Sequence, residues 1–496
     1  MNSNQGRLIS LDVFRGITIA AMVLVNNPGT WSAIYGPLKH AEWHGITPTD
    51  YIFPFFLFIV GVAIPIALDK RIEEGITRDV YKKILTRSAA IFASGLAISA
   101  LPLFVINETA IPWPLKWLAA LSIIAALYFL YLRKFRIAFA LVAAWTLIVF
   151  GYYFAGWEVT AYNVGTMRIP GVLQRIAVCY LIVSLIYLHT GWKHQTAIGI
   201  ALLLIYWLLM TKVPVPGCEI TTIDDRACNL AAFLDRVILG YDHMWKAGKV
   251  FDPEGILSTL PAIATTISGV LTGKWLRRSD EGRVTSDEKS VATRRIGNAG
   301  VEAEERISSE NNNGGTRDEV ISESPVGADP SEGSGTQLSS LVARHSSLEK
   351  ATGLFFFGTL LLAIGWAWSL VFPLNKSLWT SSYTVYTSGL ALLTLGVCYF
   401  LIDIKGYKRW AKPFVIFGVN ALALFVFSGI TARLLGIIKV GGPEGKEISL
   451  QQWIFQNLFL TWAEPINASL AYAIAFILFW LFLMWLLYRR RIFIKL

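Results

Sequence analysis

Apolar residues fall along this chain in blocks of about 17–25, separated by short polar stretches, and each block is long enough to cross a bilayer as a helix. Twelve blocks meet that description: 11–27, 50–68, 88–106, 117–132, 137–155, 172–190, 196–211, 256–273, 351–372, 381–403, 413–438 and 468–488. The pattern predicts an all-α, polytopic integral membrane protein with about twelve, and at least ten, transmembrane helices. The weakest blocks are the first, which carries polar residues, and the pair at 117–155, divided only by Arg133-Lys134-Phe135-Arg136. Residues 279–350 break the rhythm. They are rich in Ser, Gly, Asn and acids, include Asn311-Asn312-Asn313-Gly314-Gly315, and read as a disordered cytoplasmic linker. The expected organisation is a membrane domain over 1–278 with an outer loop at 28–49, the linker, and a second membrane domain over 351–496.

Charge fixes the expected orientation. With the N-terminus inside, the short inner loops hold 19 Lys and Arg, among them Arg133, Lys134 and Arg136 and the Arg489-Arg490-Arg491 run, against six in the short outer loops. Cytoplasmic loops are enriched in exactly these residue types, so both termini are expected in the cytoplasm. No cleavable signal peptide is expected, because only ten residues precede the first block and no small-residue cleavage site follows it.

Composition agrees: 54% of the 496 residues are hydrophobic, only 16% are charged, and the mean hydropathy is +0.52. A soluble enzyme, a disordered chain and a disulfide scaffold are excluded. The net charge of +10 first suggests a nucleic-acid partner, but long soluble basic faces are missing, and none is expected. The acidic linker lowers the sum, and the excess on the remainder lies mostly in inner loops. Of the four cysteines, Cys179 and Cys398 lie in spans, whereas Cys218 and Cys228 share an outer loop where a disulfide is open to them.

Ionisable groups inside spans are costly and mark candidate function. Asp12 and Arg15 lie one turn apart in the first span, either as a structural ion pair or facing a phosphate-bearing ligand. Arg175, beside Gln174 in the sixth span, either anchors a helix or faces a polar cavity. The densest polar region runs from Asn26-Asn27-Pro28-Gly29 through Lys39-His40-Ala41-Glu42-Trp43-His44-Gly45 to Asp50 and Pro54. His40 and His44 straddle a glycine-rich turn, which disfavours a shared metal, and no metal is expected. A histidine near neutral pKa at a membrane cavity suits proton transfer, with an interfacial hydrogen-bonding role as the plain alternative. Asp252-Pro253-Glu254-Gly255 and Pro373-Leu374-Asn375-Lys376 form a second outer set, which turns alone would also explain.

Together these residues resemble the heparan-α-glucosaminide N-acetyltransferase family, which includes the lysosomal enzyme of animals and bacterial inner-membrane homologues of the NagX type. The resemblance rests on Arg7-Leu8-x-Ser10-Leu11-Asp12-x-Phe14-Arg15-Gly16, Lys39-His40-Ala41-x-Trp43-x-Gly45, Asp50-x-x-Phe53-Pro54, Arg168-Ile169-Pro170-Gly171-Val172-Leu173-Gln174-Arg175, Asp252 to Leu257, and Pro373 to Trp379. It implies transfer of acetyl from cytosolic acetyl-CoA to the amine of a glucosamine across the membrane. It also implies catalytic roles for His40 and Asn26. No family role transfers to His44, where the animal enzyme has asparagine. On this resemblance the animal enzyme's additional N-terminal luminal domain is not expected here, and a small or envelope-linked amino sugar is the expected acceptor in place of polymeric heparan.

The resulting expectation is an acetyltransferase of the bacterial inner membrane with its catalytic loop facing the periplasm. His40 acts as base or as acetyl acceptor, and the Asn26 amide faces the oxyanion. Asp12, Arg15, Asp50, Arg175, Glu254, Lys274, Asn375 and Lys376 are the candidate substrate- or cofactor-binding residues, with Arg15 and then Lys274 first for the phosphates of acetyl-CoA. The partners are acetyl-CoA, an amino-sugar acceptor and the lipid bilayer, and a homodimer stays open. The rival readings are a transporter of a sugar or peptide, and an O-acetyltransferase of an envelope polysaccharide.

Overall fold

The computed structural model describes residues 8–100, 104–106, 134–277 apart from 158 and 162, 331–442 and 446–494, with scattered helical positions between 115 and 129. The chain is mostly helical. Its helices are α1 (Ile9–Asn26), α2 (Ile52–Glu73), α3 (Arg78–Ala100), α4 (Phe135–Phe154), α5 (Val172–His189), α6 (Trp192–Lys212), α7 (Leu230–Ile238), α8 (259–277), α9 (Ser331–Ser369), α10 (Ser381–Tyr399), α11 (Lys412–Val419), α12 (Ala421–Ile437), the short α13 (Leu450–Ile454) and α14 (Pro465–Arg489). Among the described residues, eight helices are long and apolar enough to cross a membrane. The pair α11 and α12 makes a ninth span if taken together, bent by 81°.

Two further helices, α3 and α8, lie on expected spans at 88–106 and 256–273. The expected span at 117–132 lies largely outside the described residues. α9 begins at Ser331, inside the segment read as linker, and 278–330 also lie outside the described residues. Two short antiparallel pairs, Phe104–Ile106 with Val159–Ala161 and Lys439–Gly441 with Glu447–Ser449, were not signalled by the hydropathy pattern.

Helices in lipid gain little from the hydrophobic effect between themselves, so close packing at small residues holds them together. α1 and α11 touch backbone to backbone: a Cβ on Gly16 would fall 1.8 Å from the Phe414 carbonyl oxygen, and one on Gly418 would fall 2.0 Å from that of Asp12. α2 meets α8 the same way, since a Cβ on Gly61 would lie 2.1 Å from the Thr266 carbonyl oxygen and one on Gly269 an equal 2.1 Å from that of Phe58. The largest apolar cluster joins α1, α2, α3, α5, α8, α12 and α14 around residues such as Leu57, Tyr180 and Ile430. This frame fixes the start of α2, where the polar loop enters.

Between α11 and α12 the chain breaks at Asn420. Its Nδ2 donates to the Ile492 carbonyl at 3.2 Å, and its Oδ1 accepts from the Ile494 N–H at 2.8 Å. The segment after α14 therefore satisfies the buried side-chain amide at the bend.

Candidate functional site

The loop between α1 and α2 is held from several sides. The Gly29 N–H and the Thr30 N–H reach Ser469 of α14 at 3.3 and 3.2 Å, and Gln451 donates to the Pro28 carbonyl at 3.1 Å. Further on, the chain folds back onto the turn Pro48–Tyr51, which carries Asp50. Asp50 is 1% exposed. Its Oδ2 accepts the backbone N–H groups of Ala41 and Thr47 at 3.1 and 2.9 Å, and its Oδ1 lies 2.6 Å from Nδ1 of His40. The Thr47 hydroxyl donates to the Lys39 carbonyl at 2.6 Å, closing the same turn.

All the donors on Asp50 suit a carboxylate that only accepts, so the proton lies on Nδ1 of His40. Nε2 is then the remaining ring nitrogen, and the imidazole is about half exposed. From below, the Tyr383 hydroxyl donates to the Asp50 carbonyl oxygen at 2.6 Å. Tyr383 packs edge-on against Trp379 at 5.5 Å, and Phe53 packs against the other side of Trp379 at 5.0 Å. Trp379 is fully buried and has φ +54°, a left-handed conformation that a bulky residue holds only when its surroundings impose it.

Arg175, 2% exposed, lies with its guanidinium 5.1 Å from the Trp379 ring. Its Nη2 donates to the Gly255 carbonyl at 2.9 Å and to the Ser258 hydroxyl, while Nε and Nη1 are without a partner among the described residues. A buried cation with open donors needs an anion or an acceptor to offset its desolvation.

The second outer set forms a network beside it. Arg168 binds Asp252 through Nε at 2.9 Å and Nη2 at 2.6 Å, and Nη2 also reaches Glu254. Burial alone would raise the Glu254 carboxyl, but Arg168, Lys376 and Arg175 hold it below the usual range. Asp235 of α7 accepts the N–H groups of Ile256 and Asp252 at 2.9 and 3.3 Å. Burial outweighs those donors and pushes its carboxyl up to about 6.

His44 takes a different set of partners. Nε2 lies 2.8 Å from Asp224, and the Nδ2 of fully buried Asn375 lies 3.3 Å from Nδ1. Asn375 is itself fixed, with Oδ1 accepting from the Leu378 N–H at 2.9 Å. Trp43 donates to the Ile223 carbonyl at 2.9 Å and lies under the guanidinium of Arg226. Ile223 and Asp224 belong to the loop closed by a disulfide between Cys218 and Cys228.

The expected residues thus fall into separate places. His40 and Asp50 meet directly, with Asp50 orienting the imidazole. Glu254, Lys376 and Arg175 share one network, and Asn375 belongs to the His44 contact. Asn26 is the exposed last residue of α1, and no hydrogen bond among the described residues joins it to His40. Asp12 and Arg15 pair with each other at 3.3 Å.

Lys274 lies elsewhere, in a cavity of about 580 Å³ at the far end of α2, with Arg277, Asp69, Tyr187 and Trp192. The nineteen residues from Asp50 to Asp69 span roughly 28 Å of helix rise. Arg168, Asp235, Trp379 and Tyr383 were not singled out from sequence as site residues. Arg168 and Trp379 lay within quoted motifs, whereas Asp235 had no signal beyond an acid in a nine-residue amphipathic helix.

The chain is similar to known proteins. Residues 7–163 match the family described as "Heparan-alpha-glucosaminide N-acetyltransferase, catalytic". Human heparan-alpha-glucosaminide N-acetyltransferase is 24% identical over 539 aligned residues, covering 99% of this chain and 60% of the human protein. The mouse protein of the same name is 22% identical over 469 residues, covering 86% of this chain and 53% of its own length. The chain thus spans little more than half the length of these relatives. The chain is thus similar to the heparan-alpha-glucosaminide N-acetyltransferases, and His40 and Asp50 lie within the residues that match the family model.

Proposed function

We propose that the chain is a transmembrane acetyltransferase of the bacterial inner membrane, moving acetyl from cytosolic acetyl-CoA to the amine of a glucosamine-type sugar on the periplasmic side. The single observation that carries this reading is the His40–Asp50 pair, in which the carboxylate takes Nδ1 and Nε2 is the ring nitrogen left for proton transfer. The relatives named above support the acetyl-transfer class, and the asymmetry of Lys and Arg between loops supports the sidedness.

Lys274, in the cavity with the Trp192 and Tyr187 rings and the Arg277–Asp69 ion pair, is the proposed contact for the anionic nucleotide end of acetyl-CoA. Nε2 of His40 takes one proton from the sugar ammonium, and the free amine attacks the thioester carbonyl. The tetrahedral intermediate collapses with breakage of the C–S bond. The departing thiolate takes the proton from the imidazolium, and the acetylated nitrogen loses its extra proton to water. Asn26 is the proposed donor to the developing oxyanion, a contact type worth ~3–4 kcal/mol in favourable cases. The open Nε and Nη1 donors of Arg175 support a role in holding a polar group of donor or acceptor beneath the pair.

Radiolabelled acetyl-CoA and glucosamine, given to the detergent-purified protein, are expected to yield N-acetylglucosamine, whereas N-acetylglucosamine offered as acceptor gives nothing. Full transfer by His40→Ala would overturn the mechanism. Accumulation of unmodified sugar in vesicles, independent of acetyl-CoA, would replace it with transport.

A further inference from the structure

A cavity of about 550 Å³ opens at the N-terminus of α5, with Arg168 in its wall. The helix has 18 residues, its N-cap is Gly171, and no side chain caps it. Its first backbone hydrogen bond is from the Arg175 N–H to the Gly171 carbonyl at 2.9 Å, so the amides of Val172, Leu173 and Gln174 have no helical acceptor. Those residues line the cavity. An uncapped helix start carries partial positive charge and favours anions.

A second observation points the same way. Gln174 is 5% exposed, lines this cavity, and its Nε2 has no partner among the described residues. Its other amide atom is held between two glycines: a Cβ on Gly95 would lie 2.3 Å from Oε1, and one on Gly171 would lie 2.6 Å from it. The side chain is therefore fixed by the backbone around it, and a buried amide N–H₂ is left to donate.

Charge completes the pattern. Lys246, from the loop after α7, and Arg433, from α12, reach the same cavity, and none of its described lining residues is acidic. Arg168 adds a third cation, though Asp252 and Glu254 already offset it. From Arg433 the wall runs along α12 through Gly429 to Phe425, about 12 Å of helix rise. Leu173 and Ile98 also line the cavity, so cationic and apolar side chains share its wall.

We propose that this cavity binds a phosphate ester, with the phosphate oxygens on the free amides of α5, Gln174, Lys246 and Arg433. Donors from three elements around one cavity suit a tetrahedral oxyanion better than a planar carboxylate. The ester comes either from a lipid headgroup with its apolar part along α12 or from a soluble sugar phosphate. The site does not depend on the acetyl-transfer reading, and it is tested without acetyl-CoA.

The purified full-length protein is titrated with glucosamine 6-phosphate, and separately reconstituted in phosphatidylcholine nanodiscs with and without phosphatidic acid, with bound ligand read by native mass spectrometry and calorimetry. Binding of at least one probe is expected, weakened about tenfold or more in Lys246→Gln and in Arg433→Gln, since each removes a charge-assisted contact. Binding of the sugar phosphate alone assigns a soluble ligand, and binding of phosphatidic acid assigns a lipid headgroup. Either supports the site. If neither probe binds, or if Lys246→Gln binds as tightly as the native protein, the proposal falls. Lys246 is exposed, so that variant stays interpretable even if Arg433→Gln fails to fold.

Discussion

Nδ1 of His40 faces Oδ1 of Asp50 at 2.6 Å, while the other oxygen of that carboxylate is taken by two backbone N–H groups. The carboxylate is thus fixed by the loop itself, and it can move only if the loop from Ala41 to Thr47 moves with it. Asp50 acts through His40 as a positioning residue.

Asp50→Asn tests this directly. An amide in place of the carboxylate no longer selects the Nδ1–H tautomer and places an N–H₂ against a donor. The turnover of acetyl transfer is expected to fall by about 100-fold or more, with the KM for acetyl-CoA little changed. Equal losses in both constants would point to a disturbed loop instead of a misoriented base. Radiolabelled acetyl transfer, followed at varied acetyl-CoA, separates the two.

The pH dependence of stability reports on Asp235. Its folded-state pKa is raised to about 6, so its favourable contribution is complete below the ordinary carboxylate pKa near 4 and is lost as pH rises through 6. The size of the change is about 3 kcal/mol at most. Thermal unfolding in detergent between pH 4 and 7 should show this loss in the native protein and a flatter profile in Asp235→Asn. Parallel profiles would rule out the assignment.

Reduction should weaken the loop that carries His44. The disulfide closes a separation of ten residues, and Trp43 and His44 both bind the loop it closes. Loop-closure entropy puts its contribution at roughly 2–3 kcal/mol. Both other cysteines are buried, so mild reductant acts on this bridge. A lower Tm and slower acetyl transfer are expected on reduction, matched by the Cys218→Ser, Cys228→Ser double variant.

Arg168→Gln should be far more damaging than an ordinary surface change. It strands Asp252, whose side chain is fully buried, and Glu254, at 8% exposure. Breaking a buried pair typically costs about 3–5 kcal/mol. Folded yield and Tm measure this, and a Tm within a degree of the native value would contradict the network.

Most of the membrane frame was legible because a span is a property of composition and length, which single residues reveal one at a time. The bend between α11 and α12 was not, since hydropathy runs unbroken through Gly418-Val419-Asn420-Ala421. His40 stood out as a titratable group in a polar loop. The orienting part of Asp50 was hidden, because its partners are mostly backbone N–H groups that carry no side-chain signature. Asp235 was hidden for a related reason: its environment is made by residues 252–256, brought to it by the fold.

Both partners of the Asn420 side-chain amide at the corner lie more than seventy positions further along the chain. During synthesis α11 and α12 enter the membrane before those partners exist. Their corner therefore stays incomplete until α14 has inserted and the chain beyond it has returned. The final assembly step belongs to the segment around Ile492, far in sequence from the loop that holds His40. A defect there would surface as poor maturation, with the chemistry of each assembled molecule left intact.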